Sequence, residues 1–200
     1  MDKIINLPRH RPPVLHKNAV NISFENCFKL GKTYNEIIGQ KNIHHFSLNV
    51  VDAKGEMTIL SYNPQIAYNI FKDGSYLYNG SISPTYYENK DIYTWDETYD
   101  PQRYHLLKNN MERKNGISTG VVLTKRINGL ILLYSFATKG NGTDFLLAIK
   151  DQKKFFLQAG DHCFEQIKPI IEDRIINHYC MPIKKEKNIR SNVFNIRNDV

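Results

Sequence analysis

Three places in the 200-residue chain bring side chains of reactive type close together. His44 and His45 are adjacent in the run "NIHHFSLNVVD" and have the donor atoms a transition metal wants. The run is β-prone, however, and neighbours on a strand point to opposite faces, so the two imidazoles cannot chelate one ion. Asp161, His162 and Cys163 carry the groups of a nucleophile, a base and an orienting acid. They fall in a helical stretch, where consecutive side chains diverge by about 100 degrees and do not face one another. The third place is "YLYNGSISPTYYENKDIYTW", residues 76 to 95, with five tyrosines and the chain's only tryptophan among Gly, Ser, Asn and Pro. These rings carry no reaction, but each offers a broad apolar face and one hydrogen-bonding tip, the mixture a small-molecule pocket requires. The other reading of the segment is a lid packed on the core with its hydroxyls in water. No G-x-S-x-G, P-loop, G-x-G-x-x-G or H-E-x-x-H run occurs, and the acidic residues are scattered without a pairing that argues for general acid-base work. The sequence predicts no catalytic residue, no metal and no cofactor.

The elements that must position these residues follow from periodicity and caps. Ser23 is placed to cap a helix whose Phe24, Cys27, Phe28, Tyr34, Ile37 and Ile38 recur at nearly helical spacing, with Gly39 to end it. Residues 42 to 52 and 56 to 62 are β-prone runs joined by "AKG" and read as a hairpin. Asn63 and Pro64 supply an N-cap and N1 for a short helix carrying Ile66, Ala67, Ile70 and Phe71, which Asp73 and Gly74 stop. After the aromatic segment, Asp100, Pro101 and Gly116 repeat the device around a third helix. "STGVVLTKRINGLILLYSFATKGNG" holds two strands about an Asn128-Gly129 turn, the strongest hairpin signal in the chain. On the second of these strands Leu130, Leu132, Tyr134 and Phe136 point one way and Ile131, Leu133 and Ala137 the other. A strand apolar on both faces belongs in the middle of a sheet covered by helices on each side. From Thr143 to about Met181 the pattern is helical again, with an interruption expected near Gly160. The expected fold is α/β (α+β), an α-β-α sandwich around a central, mainly antiparallel sheet.

Composition bounds the function. An apolar share of 41% and a charged share of 24% are ordinary for a soluble globular domain, and no apolar run has the roughly 18 residues of a membrane span. The first residues lack the apolar stretch of a secretory signal, so a cytoplasmic location is expected. Cys27, Cys163 and Cys180 have no C-x-x-C spacing and read as reduced packing residues. The formal charge is +7, of which Lys3, Arg9, Arg11 and Lys17 against Asp2 give residues 1 to 18 a share of +3. Lys184, Lys185, Lys187, Arg190 and Arg197 against Glu186 and Asp199 give residues 183 to 200 another +3. The body is close to neutral, unlike a domain that grips phosphates on one face. The ends read either as solvated tails or as weak contacts to DNA or another acidic surface. Three segments follow: a basic, Pro-containing arm over 1–18, a domain over 19–181 and a basic linker or tail over 182–200.

The order of these elements, "KDIYTW" entering the sheet and especially "NGISTGVVLTKRINGLILLYSFAT" resemble the N-terminal sensor domain of LuxR-type bacterial transcription regulators, the autoinducer-binding fold. The resemblance covers roughly residues 23 to 178. It implies an α-β-α sandwich that holds an acyl-homoserine lactone between the sheet and one helical layer, in a homodimer that binds DNA through a C-terminal helix-turn-helix. Residue by residue, Tyr62 matches the Tyr before the family's short helix, Trp95 the Trp closing the aromatic segment, and Gly116 the Gly before the last hairpin. The family's ligand-holding Trp and Tyr fall at Ile66 and Ile70, and its Asp-Pro falls near Asn79-Gly80. A lactone head buried without those clamps would leave polar groups unpaired at about 1 to 3 kcal/mol each. Residues 183 to 200 end before a helix-turn-helix pattern, so DNA contact is expected only through a domain outside this chain or not at all.

The resemblance and the rings together name Tyr62, Ile66, Ile70, Tyr78, Tyr93, Trp95 and Tyr134 as ligand-binding candidates. The expected function is a small-molecule-sensing regulatory domain with an unknown ligand other than a standard acyl-homoserine lactone. The alternative is a protein-interaction module on the same fold with a filled pocket; a hydrolase would need an open cleft with a nucleophile and base in reach. Cavity shape separates the three.

Overall fold

A computed structural model describes residues 10–37 and 43–172. The chain runs β1 (Val14–Leu15), α1 (Ala19–Ile37), β2 (His45–Val51), β3 (Glu56–Ser61), α2 (Pro64–Lys72), two short 3-10 turns, α3 (Pro84–Tyr87) and β4 (Ile92–Thr94). It continues through α4 (Tyr104–Asn109), β5 (Thr119–Ile127), β6 (Leu130–Thr138), α5 (Gly142–Asp151) and α6 (Lys153–Ile171). The six strands form one sheet in the order β1-β3-β2-β6-β5-β4, antiparallel throughout except for the parallel pair β1 and β3. Helices cover both faces, so the sandwich read from the doubly apolar β6 is the observed architecture.

The alternation on β6 sorts the core. Leu132, Tyr134 and Phe136 join Phe46, Leu48, Val50 and Leu60 beneath α1, α5 and α6. Leu133 and Ala137 join Met57, Ile59 and Val122 on the opposite face, beneath α2, α4 and the aromatic segment. The β5-β6 hairpin turns at Asn128 and Gly129, with φ of 50° and 79°, the left-handed pair that a two-residue turn of this twist requires.

Four local expectations are corrected. First, α1 starts at Ala19, so Ser23 lies inside it, and the face against the sheet is Ala19, Ile22, Leu30 and Tyr34. Of the expected apolar stripe, Tyr34 is buried, whereas Phe24 is exposed and Phe28 is 88% exposed. The spacing admitted two faces, and the i, i+4 row containing Ile22 and Leu30 packs better on the pleated sheet than the one with two rings. The end expected at Ile38 and Gly39 lies outside the described residues. Second, the helix after Asp100 begins only at Tyr104, because Asp100 Oδ1 accepts from the Gln102 N–H at 2.8 Å in a preceding turn. That helix closes in a π turn over Asn110–Lys114, before Gly116 at φ 65°. Third, the C-terminal helical stretch breaks at Gln152, and Gly160 lies inside α6. Gly160 is there for space, since a Cβ at that position would enter the ring of Tyr134. Fourth, residues 10 to 18 pack on the body and are not a free arm. Val14 and Leu15 add the edge strand β1, and the Arg11 carbonyl accepts from Ser83 Oγ at 2.6 Å.

Candidate functional site

A cavity lies between the α2 side of the sheet and its roof, and strand alternation explains its floor. Phe46, Leu48 and Val50 of β2 turn to the α1 side, which sends His45, Ser47 and Asn49 to the other. Ser47 pairs in register with Ser61 of β3 on one side and Ser135 of β6 on the other, and Ser135 pairs with Val122 of β5. The floor is thus a row of small side chains crossing four strands, with His45 and Asn49 flanking it along β2. Where a row of Val or Leu would have reached the roof, three serines leave space. The roof is Ile66, Ala67, Ile70 and Phe71 of α2, with Asn79, Ser81 and Ile82 of the following turns, Trp95 and Met111; Ile59 completes the wall. The cavity volume is about 60 Å³, several times the roughly 10–15 Å³ that one water needs.

The cavity is polar in its floor and uncharged. The residues lining it include no Asp, Glu, Lys or Arg. His45 is buried, its ring 5.7 Å from that of Tyr62 and 6.1 Å from that of Trp95. Burial holds its pKa down at about 4, so the imidazole is neutral at neutral pH. His45 Nδ1 and Asn49 Oδ1 are buried without a hydrogen-bond partner. Trp95 is anchored: its Nε1–H donates to Ser135 Oγ at 3.0 Å, its backbone N–H donates to the Gly120 carbonyl at 2.9 Å, and its indole covers Gly120 so closely that a Cβ there would overlap it. The Asn79 side chain accepts from the Ser81 N–H at 3.0 Å and shapes the turn that closes the roof.

Of the seven sequence candidates, Ile66, Ile70 and Trp95 line this cavity and four do not. Tyr62 stacks on Tyr34 at 5.2 Å on the α1 side and donates its hydroxyl to the His44 carbonyl. Tyr78 is half-buried with the Arg103 guanidinium over its ring at 5.3 Å. Tyr93 is a buried brace under the aromatic segment, donating to the Ser81 carbonyl at 3.0 Å. Tyr134 faces the opposite layer, where its hydroxyl donates to Asp161 Oδ1 at 2.7 Å. Period two on β6 places Tyr134 and Ser135 on opposite faces, and the serine is the one that meets the cavity. Apart from Trp95, the rings of the aromatic segment mostly brace the roof.

Sequence reasoning passed over His45 as a site residue together with Ser47, Asn49, Ser61, Asn79, Ser81 and Ser135. A signal existed: "HFSLNVV" alternates polar and apolar, which reads as a half-exposed strand, yet it pairs with the doubly covered β6 and every one of its residues is buried. A polar face on a strand buried on both sides is a site signature that requires knowing the pairing.

The His44-His45 pair and the Asp161-His162-Cys163 triplet are separated as the geometry of their elements demands. His44 Nδ1 accepts from the Lys139 N–H at 3.2 Å, away from the cavity that His45 lines. Asp161 receives Lys125 Nζ at 2.7 Å on each oxygen, and burial pushes the Cys163 thiol up to about 12, far from a reactive thiolate. Among the described residues no helix is long and apolar enough to cross a membrane.

No protein-family model matches the chain, and no curated protein is significantly similar to it in sequence. Solved structures do resemble it. CepR2 of Burkholderia cenocepacia, an N-acylhomoserine-lactone-dependent transcription factor of the LuxR family, aligns over 75% of this chain and 98% of its own at 12% identity and a TM-score of 0.52. SdiA of Escherichia coli aligns over 74% of this chain and 67% of its own, with 14% identity and a TM-score of 0.49. SdiA in complex with octanoyl-rac-glycerol aligns over 76% and 62%, with 11% identity and a TM-score of 0.44. The chain therefore shares the fold of CepR2.

Proposed function

We propose that this chain, with the fold of a LuxR-family transcription factor, is a small-molecule-sensing regulatory domain. The observation that carries the reading is the cavity between the sheet and the α2 layer, floored by Ser47, Ser61 and Ser135 and flanked by His45 and Asn49 with unmet hydrogen-bonding capacity. Protein interiors are close-packed and their buried polar groups paired, so a cavity with a polar floor and two unpaired polar atoms has the character of a ligand-binding site. CepR2 depends on an N-acylhomoserine lactone. Here Ile66 and Ile70 line the roof, and no lining carboxylate is available to take a ligand amide N–H. An acyl-homoserine lactone is therefore not the expected ligand; submicromolar binding of one in calorimetry would refute that. The regulatory reading extends to a cytoplasmic homodimer acting on DNA through a helix-turn-helix outside this chain.

Native mass spectrometry of the purified protein, repeated after denaturation, tests the sensor reading. A reproducible excess mass in the native spectrum is the expected result. No excess, combined with failure of cell extracts to raise the melting temperature, overturns it.

One observation favours the second reading, an interaction module. Val20, Phe24 and Phe28 on α1 are exposed beside Tyr68 of α2, whose ring meets Phe24 edge-on at 6.2 Å. Contiguous exposed rings of this kind mark contact surfaces in soluble domains.

A further inference from the structure

Resting on the sensor reading, the composition of the cavity narrows the chemistry of what fills it. An ionised group placed there would be removed from water with no countercharge among the lining residues, a penalty that paired hydrogen bonds do not offset. The neutral imidazole of His45 removes the one side chain able to supply a positive charge. Size narrows it further: a cavity of about 60 Å³ has room for a few waters and too little for a long acyl chain.

The unmet polar atoms specify the rest. His45 and Asn49 lie four residues apart on one strand face with Ser47 between them, so their polar groups form a short ladder along the floor. A neutral imidazole offers one donor and one acceptor, and a carboxamide offers both at its tip. His45 Nδ1 and Asn49 Oδ1 are shut off from the open space as the side chains stand, and a half-turn of the His45 ring or of the Asn49 amide turns them toward it, so that either side chain can present a donor or an acceptor. Trp95 Nε1 is already committed to Ser135, and Ser61 Oγ already accepts from the Asn63 N–H at 3.0 Å. Among the lining residues, the buried polar atoms without any partner, His45 Nδ1 and Asn49 Oδ1, are both on β2.

We infer that His45, Ser47 and Asn49 form the recognition ladder of this site and that it takes a compact, uncharged molecule carrying both a hydrogen-bond donor and an acceptor, of the small carboxamide or polyol class. The ladder makes the discrimination and α2 closes over the bound molecule with Ile66 and Ile70.

The test uses the full chain labelled with ¹⁵N in histidine and asparagine side chains, titrated with acetamide and glycerol and, as charged counterparts of similar size, acetate and methylammonium. The expected result is that a neutral probe shifts the His45 ring and Asn49 amide resonances while the charged pair does not. Asn49→Leu is expected to weaken that binding about tenfold, the worth of one good hydrogen bond. His45→Phe serves as the second variant should Asn49→Leu fail to fold. Acetate or methylammonium binding as well as its neutral counterpart, or neutral probes binding without moving His45 or Asn49, overturns the inference. If a ligand retained in native mass spectra stays equally bound to Asn49→Leu and His45→Phe, the ladder is refuted and the sensor reading stands. If no probe binds, no ligand is retained and cell extracts leave the melting temperature unchanged, both fall.

Discussion

The indole of Trp95 lies over Gly120 with no room for a methyl group between them, and from that position its Nε1–H donates to Ser135 Oγ at 3.0 Å across the cavity floor. Glycine on β5 is thus the condition for the tryptophan roof, and β6 supplies the hydroxyl that fixes it. Replacing Gly120 by Ala forces a Cβ into the ring and should cost about 1 to 3 kcal/mol, the usual range for overpacking. Since the chain has a single Trp, its fluorescence reports directly; a red-shifted emission together with a lower urea midpoint is expected. An unchanged spectrum would mean the indole does not rest on Gly120.

Ser135→Ala isolates the hydrogen bond from the packing. It leaves the buried Trp95 Nε1–H without its acceptor, and a stranded donor costs about 1 to 3 kcal/mol. Stability should fall by that amount, and the Nε1–H signal in NMR should move and lose protection from exchange. A neutral effect on stability would show that the donor finds another acceptor in the cavity.

Burial lowers the His45 pKa from the usual value near 6.5 to about 4. Between these values the unfolded chain binds a proton that the folded chain refuses, so stability is lost as the pH falls through this window and levels off below about 4. The full difference is on the order of 3 kcal/mol at 1.36 kcal/mol per pH unit. His45→Phe should remove this component, visible as a flatter stability profile between these two pH values in urea unfolding. A parallel profile for the variant would place the pH dependence elsewhere.

On the far side of the sheet, Gly160 of α6 rests on the Tyr134 ring while Asp161 takes both the Tyr134 hydroxyl and Lys125. Gly160→Ala should therefore push the helix off the sheet and destabilise by about 1 to 3 kcal/mol. Asp161→Asn retains an acceptor for Tyr134 and loses an ion pair whose side chains are each about a third exposed, worth less than about 1 kcal/mol. Thermal melts of the two variants should show the larger drop for the glycine. The reverse order would mean that charge, not close approach, seats α6.

Phe28 is exposed on α1 and touches the second reading alone. Phe28→Ser should change stability by no more than about 0.5 kcal/mol. If α1 is a contact surface, analytical ultracentrifugation will show weaker self-association or partner binding for the variant, with neutral-probe binding in the cavity intact. Loss of cavity binding would instead tie that face to the pocket.

By itself the sequence determined whatever depends on local chemistry and periodicity. The Asn128-Gly129 turn, the strand pair around it, the Pro64 start of α2 and the two-faced apolar pattern of β6 were sufficient for the layered fold, because turn residues and alternation act within a few bonds of where they stand. Two apolar stripes competed on α1, and which one met the sheet, leaving Phe28 in solvent, was a matter of tertiary packing. Gly160 was legible as a glycine but not as a seat for Tyr134, since its reason lies in a ring 26 residues away in sequence. The site shows the same division. Trp95, Ile66 and Ile70 were reachable through resemblance, whereas Ser61, Ser47 and Ser135 form a row only once β3, β2 and β6 pair in one register. Serines and an asparagine on an alternating strand look solvent-facing in any one-dimensional reading. The second helical layer over that face makes them an interior, and no signal within β2 itself records that its polar face will be covered.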